Sequence, residues 1–204
     1  MTRIVGIGHN DGPSLDGGRG FRRYAWKKAR KELIGARVPV EIVRLRVRRA
    51  QALGLAYPQY ASILLGSGRD ITGFLFTVGG LQLRLARELE AAPAVAEKLR
   101  RLEGAGRLAL SPPEEPAEAF RAELEAATGA RIEAAAPAPE RGASWGLARA
   151  RILAALAPLR LPRDAVVMIG EGEEEERWAE AARLARFLPG EAYFGARQGA
   201  GAPR

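Results

Sequence analysis

Two stretches decide the fold: Ile71-Thr72-Gly73-Phe74-Leu75-Phe76-Thr77, and Ala165-Val166-Val167-Met168-Ile169-Gly170. Both are short apolar runs, rich in β-branched and aromatic residues, without polar alternation. A strand with one wet face alternates apolar and polar side chains, whereas a strand covered on both faces does not. The second kind belongs to parallel sheets, whose crossover helices shield both sides. These two runs therefore predict a parallel sheet with helices above and below it.

Between and beyond them the chain alternates. Helical segments are expected at about residues 80–91 and 93–103, separated by Pro93, then a strand over 107–110 and a helix over 116–128 ended by Gly129. A weaker strand follows at 131–134, and residues 134–143 (AAAPAPERGA) read as a low-complexity linker. Ser144 caps a helix running to about residue 157. Residues 173–188 read as the best helix of the chain, with Trp178, Ala181, Ala182, Ala185 and Leu188 on one face. Tyr193-Phe194 adds an edge strand, and Trp145 and Trp178 are assigned to the helix–sheet interface. Strands separated by helices of this length signify βαβ units. The fold class is thus α/β: a small three-layer, Rossmann-like domain over residues 69–195 with a mainly parallel sheet of four or five strands.

Upstream the composition differs. Residues 1–20 are a Gly-rich loop with a short strand at Arg3-Ile4-Val5-Gly6-Ile7. Residues 21–68 form a basic helical region with helices at 21–34, 40–53 and from Pro58 to Gly66. Residues 196–204 read as a disordered tail. On the second of these helices Ile42, Val43, Leu45, Val47, Ala50 and Leu53 share a broad arc, expected to face the core.

The 204 residues are 47% hydrophobic and 27% charged, which excludes wholesale disorder, collagen and coiled coil. No cysteine is present, so disulfides, thiolate metal sites and thiol nucleophiles are excluded, and His9 is the only histidine. No metal site is assigned and no cofactor is implied. No segment resembles a signal peptide or a membrane span, so a cytoplasmic location and no membrane partner are expected. Charge is unevenly placed: residues 1–60 hold 13 Lys and Arg against 4 Asp and Glu, net +9, while the remainder nets −1. Such local asymmetry points to an anionic partner, nucleic acid or an acidic protein.

Four groups of residues carry candidate chemistry. Arg22, Arg23, Lys27, Arg30 and Lys31 form a basic face suited to phosphates. Arg46 and Arg49 fall inside the apolar arc of the 40–53 helix, where a guanidinium needs an anion: an external phosphate, or an internal carboxylate such as Asp70 or Glu32. His9, in the Gly8-His9-Asn10-Asp11 loop, and Glu171 are the candidates for acid–base work. Thr77, Gly79 and Gly80 offer a hydroxyl and close-approach backbone after the first strong strand, where doubly wound sheets bind ligands. Neither Gly6-x-Gly8-x-x-x-Gly12 nor Gly79-Gly80 has the spacing of a dinucleotide or Walker loop. Glu171 and the Glu173–Glu176 run repel phosphate, so the loop after residue 170 is a poor nucleotide cradle.

The leading expectation is a non-enzymatic nucleic-acid-binding module, its basic N-terminal region touching phosphates and its α/β domain serving as scaffold. A second is a small α/β enzyme or ligand-binding domain with a pocket near Thr77 and Glu171. A third is an adaptor that docks an acidic protein. Spacing alone does not decide between catalysis and binding.

Overall fold

The computed structural model describes residues 38–85 and 89–196. The chain divides into two compact units, residues 1–43 and 44–204. Of the first, residues 38–43 are described; they open helix α1 (Val40–Ala52). The expected 1–20 loop, the 21–34 helix and residues 197–204 lie outside the described residues.

The second unit continues α1 and follows with α2 (Tyr57–Ser67), β1 (Gly73–Phe76), a small hairpin of β2 (Arg84–Leu85) and β3 (Leu89–Glu90), and α3 (Pro93–Arg101). Then come β4 (Gly106–Ser111), α4 (Ala117–Thr128), β5 (Ala134–Pro137), α5 (Trp145–Leu156), β6 (Val166–Gly170), α6 (Glu173–Ala182), β7 (Arg186–Pro189) and α7 (Gly190–Phe194). The main sheet is five-stranded in the order β5-β4-β1-β6-β7, and every pairing in it is parallel. From β1 the chain steps outward to β4 and β5, then returns to the other side of β1 to lay down β6 and β7. The strand order therefore reverses between β1 and β6.

Side chains alternate faces along these buried strands, as the pleat requires. Phe74, Phe76, Val167 and Ile169 enter one core with Leu53, Tyr60, Ile63, Leu99, Phe120 and Leu124. Leu75, Leu108, Leu110, Val166 and Met168 enter the other with Ile152, Leu156, Trp178 and Ala182. The sheet is thus covered on both sides, as the unalternating runs require.

Helix α7 closes the first core. Tyr193 packs on Phe74, with ring centroids 5.3 Å apart, and meets Phe194 edge-on at 4.8 Å. The Tyr193 hydroxyl donates to the Leu53 carbonyl at 3.0 Å. The Lys98 ammonium sits 3.9 Å above the Tyr193 ring and donates to the Tyr193 carbonyl. Burial lowers the Lys98 pKa and raises that of the Tyr193 phenol.

Several expected elements differ. The described residues of the 80–91 stretch form no helix: they make a turn and the paired strands β2 and β3. Gln82 takes a left-handed conformation (φ 55°), which stops a right-handed helix, and Leu81, Leu83 and Leu85 already alternate with period two. The third strand lies at Ala134–Pro137, inside the stretch read as a linker, where it pairs with Leu108–Ser111 on β4. Pro137 is tolerated because it ends an edge strand. The 173–188 helix stops at Ala182, where Arg183 turns left-handed (φ 54°) and its N–H caps Ala179 and Glu180. Leu188 then belongs to β7, which takes the edge position assigned to Tyr193-Phe194; those two residues end a helix. Only the C-terminal end of α1 reaches the core: Ala50 and Leu53 are buried, whereas Ile42 and Leu45 are exposed. Trp178 is buried as expected, but Trp145, in the first turn of α5, is 52% exposed.

Among the described residues, no helix is long and apolar enough to cross a membrane.

Candidate functional site

The reversal of strand order leaves a crevice at the carboxyl ends of β1 and β6, the usual ligand position in an open α/β sheet. Its floor begins with Thr77, whose N–H donates to the Ile169 carbonyl at 3.0 Å and so carries the β1–β6 ladder one residue further. The chain then winds tightly. Gly80 N–H donates to Thr77 Oγ1 at 3.0 Å, Leu81 N–H to the Thr77 carbonyl at 2.9 Å, and Gln82 N–H to the Gly79 carbonyl at 2.9 Å.

The glycines here are demanded by the protein's own atoms. A Cβ on Gly80 would fall 2.1 Å from the Ile169 carbonyl oxygen, and one on Gly190 would fall 2.2 Å from the Gly80 carbonyl oxygen. A Cβ on Gly79 would fall 2.5 Å from Glu171 Oε2. The space in which a ligand anion would meet the Gly79 backbone is thus taken by the Glu171 side chain.

A cleft of about 400 Å³ opens above this floor. Its polar lining consists of Thr77, Ser111, Arg141, Glu171 and Glu175, and Leu83, Leu110, Pro112 and Trp178 supply apolar wall. Each comes from the end of a strand or the element just after it. Thr77 and Ser111 follow or close β1 and β4; both are buried, and Ser111 Oγ donates to the Glu115 carbonyl at 3.1 Å. Arg141 lies in the loop after β5. That loop is fastened at one side by Ala138 N–H donating to the Ser111 carbonyl at 2.9 Å, and at the other by Gly142 N–H donating to the Glu174 carboxylate. It therefore reaches from the β4 end to α6, along the edge of the cleft. Glu175 accepts a hydrogen bond from Glu171 N–H, which places both carboxylate residues at the start of α6, where the helix dipole favours negative charge.

A smaller cleft of about 200 Å³ lies on the other side of Gly79 and Glu171, lined also by Gln82, Gly170, Pro189, Gly190 and Glu191. Gln82 Nε2 donates to the Gly195 carbonyl at 3.0 Å, tying the turn after β1 to the end of α7.

Of the residues singled out in the sequence, Thr77, Gly79 and Glu171 come together here. Gly80 is adjacent, but it packs on β6 and α7 and lines neither cleft. His9, Arg22, Arg23, Lys27, Arg30 and Lys31 lie outside the described residues. Ser111 and Arg141 were not singled out in the sequence, while Trp178 was assigned to the helix–sheet interface and Glu175 to the acidic start of a helix rather than to a site. Ser111 was findable by treating the end of β4 as the ends of β1 and β6 were treated; Arg141 was hidden in a stretch read as linker.

Arg49 is held elsewhere, within the protein. Its Nε donates to Asp70 Oδ2 at 2.8 Å, and Nη2 donates to the carbonyls of Ile71 at 2.6 Å and Gly104 at 3.1 Å. Asp70 Oδ1 accepts from the Tyr60 hydroxyl at 3.0 Å and from Ile71 N–H at 2.8 Å. Burial, then the hydrogen bond to Asp70, raise the Tyr60 pKa, while the charges of Arg49 and Arg46 pull it down. Arg46 therefore stands near the same cluster. These contacts join α1, α2 and the segments leading into β1 and β4.

Among the described residues, no group of three or more His, Cys, Asp or Glu side chains could hold a metal ion. The chain matches no protein-family model, no curated protein and no solved structure among those compared.

Proposed function

We propose that this chain is a Rossmann-like ligand-binding domain that takes a small organic molecule in the cleft at the carboxyl ends of β1, β4 and β6. The observation that carries this reading is the convergence of Thr77, Ser111, Arg141, Glu171 and Glu175, from four different strand ends, on one space of about 400 Å³. That volume suits a metabolite-sized ligand, and an apolar wall with a few converging polar groups is the usual composition of such a site. A nucleotide phosphate is disfavoured, because Glu171 occupies the glycine turn and the rest of the α6 start is acidic. The favoured ligand is uncharged or cationic, with an apolar body against Leu110, Pro112 and Trp178.

The test is a ligand-observed NMR screen of uncharged and cationic fragments against the wild-type protein and Ala138→Phe, which narrows the cleft from the β5 side. Fragments that bind wild type and lose binding in the variant support the reading. Equal binding to both places the ligand elsewhere and overturns it.

A second reading, nucleic-acid binding through the N-terminal third, is favoured by the net +9 of residues 1–60 and by the exposure of Arg44 and Arg48 on α1. Phosphate contacts release counterions, so affinity for a mixed nucleic-acid pool should fall steeply between 50 and 200 mM salt, by about tenfold or more for several contacts. Absence of binding at low salt sinks it. An acidic protein docking on the same basic residues would instead show as partner capture that survives nuclease treatment.

A further inference from the structure

Gly79 and Glu171 line both the larger and the smaller cleft, and among the described residues no other residue is common to the two. The wall between them is therefore the Glu171 side chain laid against the bare Cα of Gly79. A Cβ at residue 79 would stand 2.8 Å from Glu171 Cβ and 2.5 Å from its Oε2, so the two are in close contact. This wall is one side chain thick. On its far side lies the smaller cleft, lined also by Gln82, Gly170, Pro189, Gly190 and Glu191. The Glu171 backbone is held independently of its side chain, since its N–H donates to the Glu175 carboxylate.

We propose that Glu171 is a specificity-determining residue that sets the length of ligand the larger cleft accepts, by partitioning it from the smaller one. The proposal rests on the reading of the larger cleft as a ligand site. With the partition in place, a ligand body extending from the Glu175 end meets a side chain carrying a carboxylate, which stops it sterically and gives an apolar tail nothing to pack on. With the side chain cut back to Cβ, about 400 Å³ and about 200 Å³ become one elongated space running from Ser111 to Gly190.

The probe is a homologous series of n-alkylammonium ions, propyl to octyl, titrated by NMR into wild type, Glu171→Ala and Glu171→Gln. Glu175 is retained in all three, so the cationic head keeps a carboxylate partner. In wild type, affinity should rise with chain length and then level off where the tail reaches the wall. In Glu171→Ala the rise should continue past that length, by about fourfold for each further methylene buried. Glu171→Gln keeps the bulk without the charge and should retain the wild-type limit. The same limiting length in Glu171→Ala and wild type overturns the partition while leaving the cleft reading intact. An extension in Glu171→Gln equal to that in Glu171→Ala also overturns it, because charge rather than bulk would then set the limit. No saturable binding of any member to any of the three proteins overturns the cleft reading itself, and the partition with it.

Discussion

Replacing Arg49 by alanine separates an internal clamp from an external anion site. The guanidinium bonds Asp70 and the carbonyls of Ile71, Gly104 and Glu103, so the substitution removes one ion pair and leaves three carbonyls without their donors. The ion pair is partly solvated, with side-chain exposures of 24% for Arg49 and 46% for Asp70, and so contributes about 0.5 to 1 kcal/mol. The Ile71 carbonyl is the most sheltered acceptor, and losing a charged donor there costs about 1.5 kcal/mol; the Gly104 and Glu103 contacts, longer and exposed, add little. The expected loss is about 2 to 2.5 kcal/mol. For a chain of this size that lowers the melting temperature by about 4 to 10 °C. The assay is thermal unfolding of the ligand-free protein by circular dichroism, with Arg49→Lys as a companion. Lysine keeps the charge but cannot present the fork, so it should recover less than half of the loss. An Arg49→Ala protein that melts like wild type, yet binds nucleic acid less tightly at low salt, would refute the clamp and restore the external anion.

Three further outcomes are expected. Gly190→Ala drives a Cβ to within 2.2 Å of the Gly80 carbonyl oxygen, a backbone atom that cannot swing aside, and should cost about 3 kcal/mol or more in chemical denaturation. Gly66→Ala, inside α2 with nothing within 4 Å of the new methyl group, should instead raise the denaturation midpoint, by up to about 1 kcal/mol in stability. The third concerns pH. Folding raises the pKa of Tyr60 and Tyr193 above their ordinary 10.0, so the stability they confer is complete below pH 10 and is lost as pH climbs toward their folded values. Lys98, lowered by burial, acts in the opposite sense: its penalty is full below its folded value and is relieved as pH rises from there toward the ordinary 10.5. Tyr193→Phe should therefore flatten the fall in stability measured by denaturant titration above pH 10; an equally steep fall in the variant would assign the alkaline loss to other groups.

The central strands were legible because burial on both faces erases alternation, and nothing else in the chain produces the runs at 71–77 and 165–170. The errors concentrate where one residue takes a conformation its type does not advertise. Gln82 and Arg183 are left-handed without being glycine: the first keeps a helix from forming after β1, and the second ends one that composition alone would continue. The Ala-rich strand β5 was unreadable for a different reason. Its residues carry little β-propensity of their own, and the edge of β4 supplies the pairing that orders them. The cleft was half legible. Rules about strand ends point at Thr77 and Glu171, and helical spacing puts Trp178 on an inward face, but Arg141 reaches the same space through a loop tether that no local spacing encodes.

The covering of Phe74 by Tyr193 bears on how the chain matures during synthesis. Strand β1 is made early, yet its flanking partner β6 begins more than ninety positions later, at Val166, and its aromatic face is sealed only by α7. A ribosome working at about 5 to 20 residues per second therefore exposes the β1 segment for several seconds before the strands and helix that shield it exist. During that interval Phe74-Leu75-Phe76 can pair with β4 on one side but keeps its other edge and its aromatic face uncovered, open to chaperones and to copies of itself. Slowing translation between residues 77 and 166 should lower the soluble yield, and slowing it after residue 195 should not.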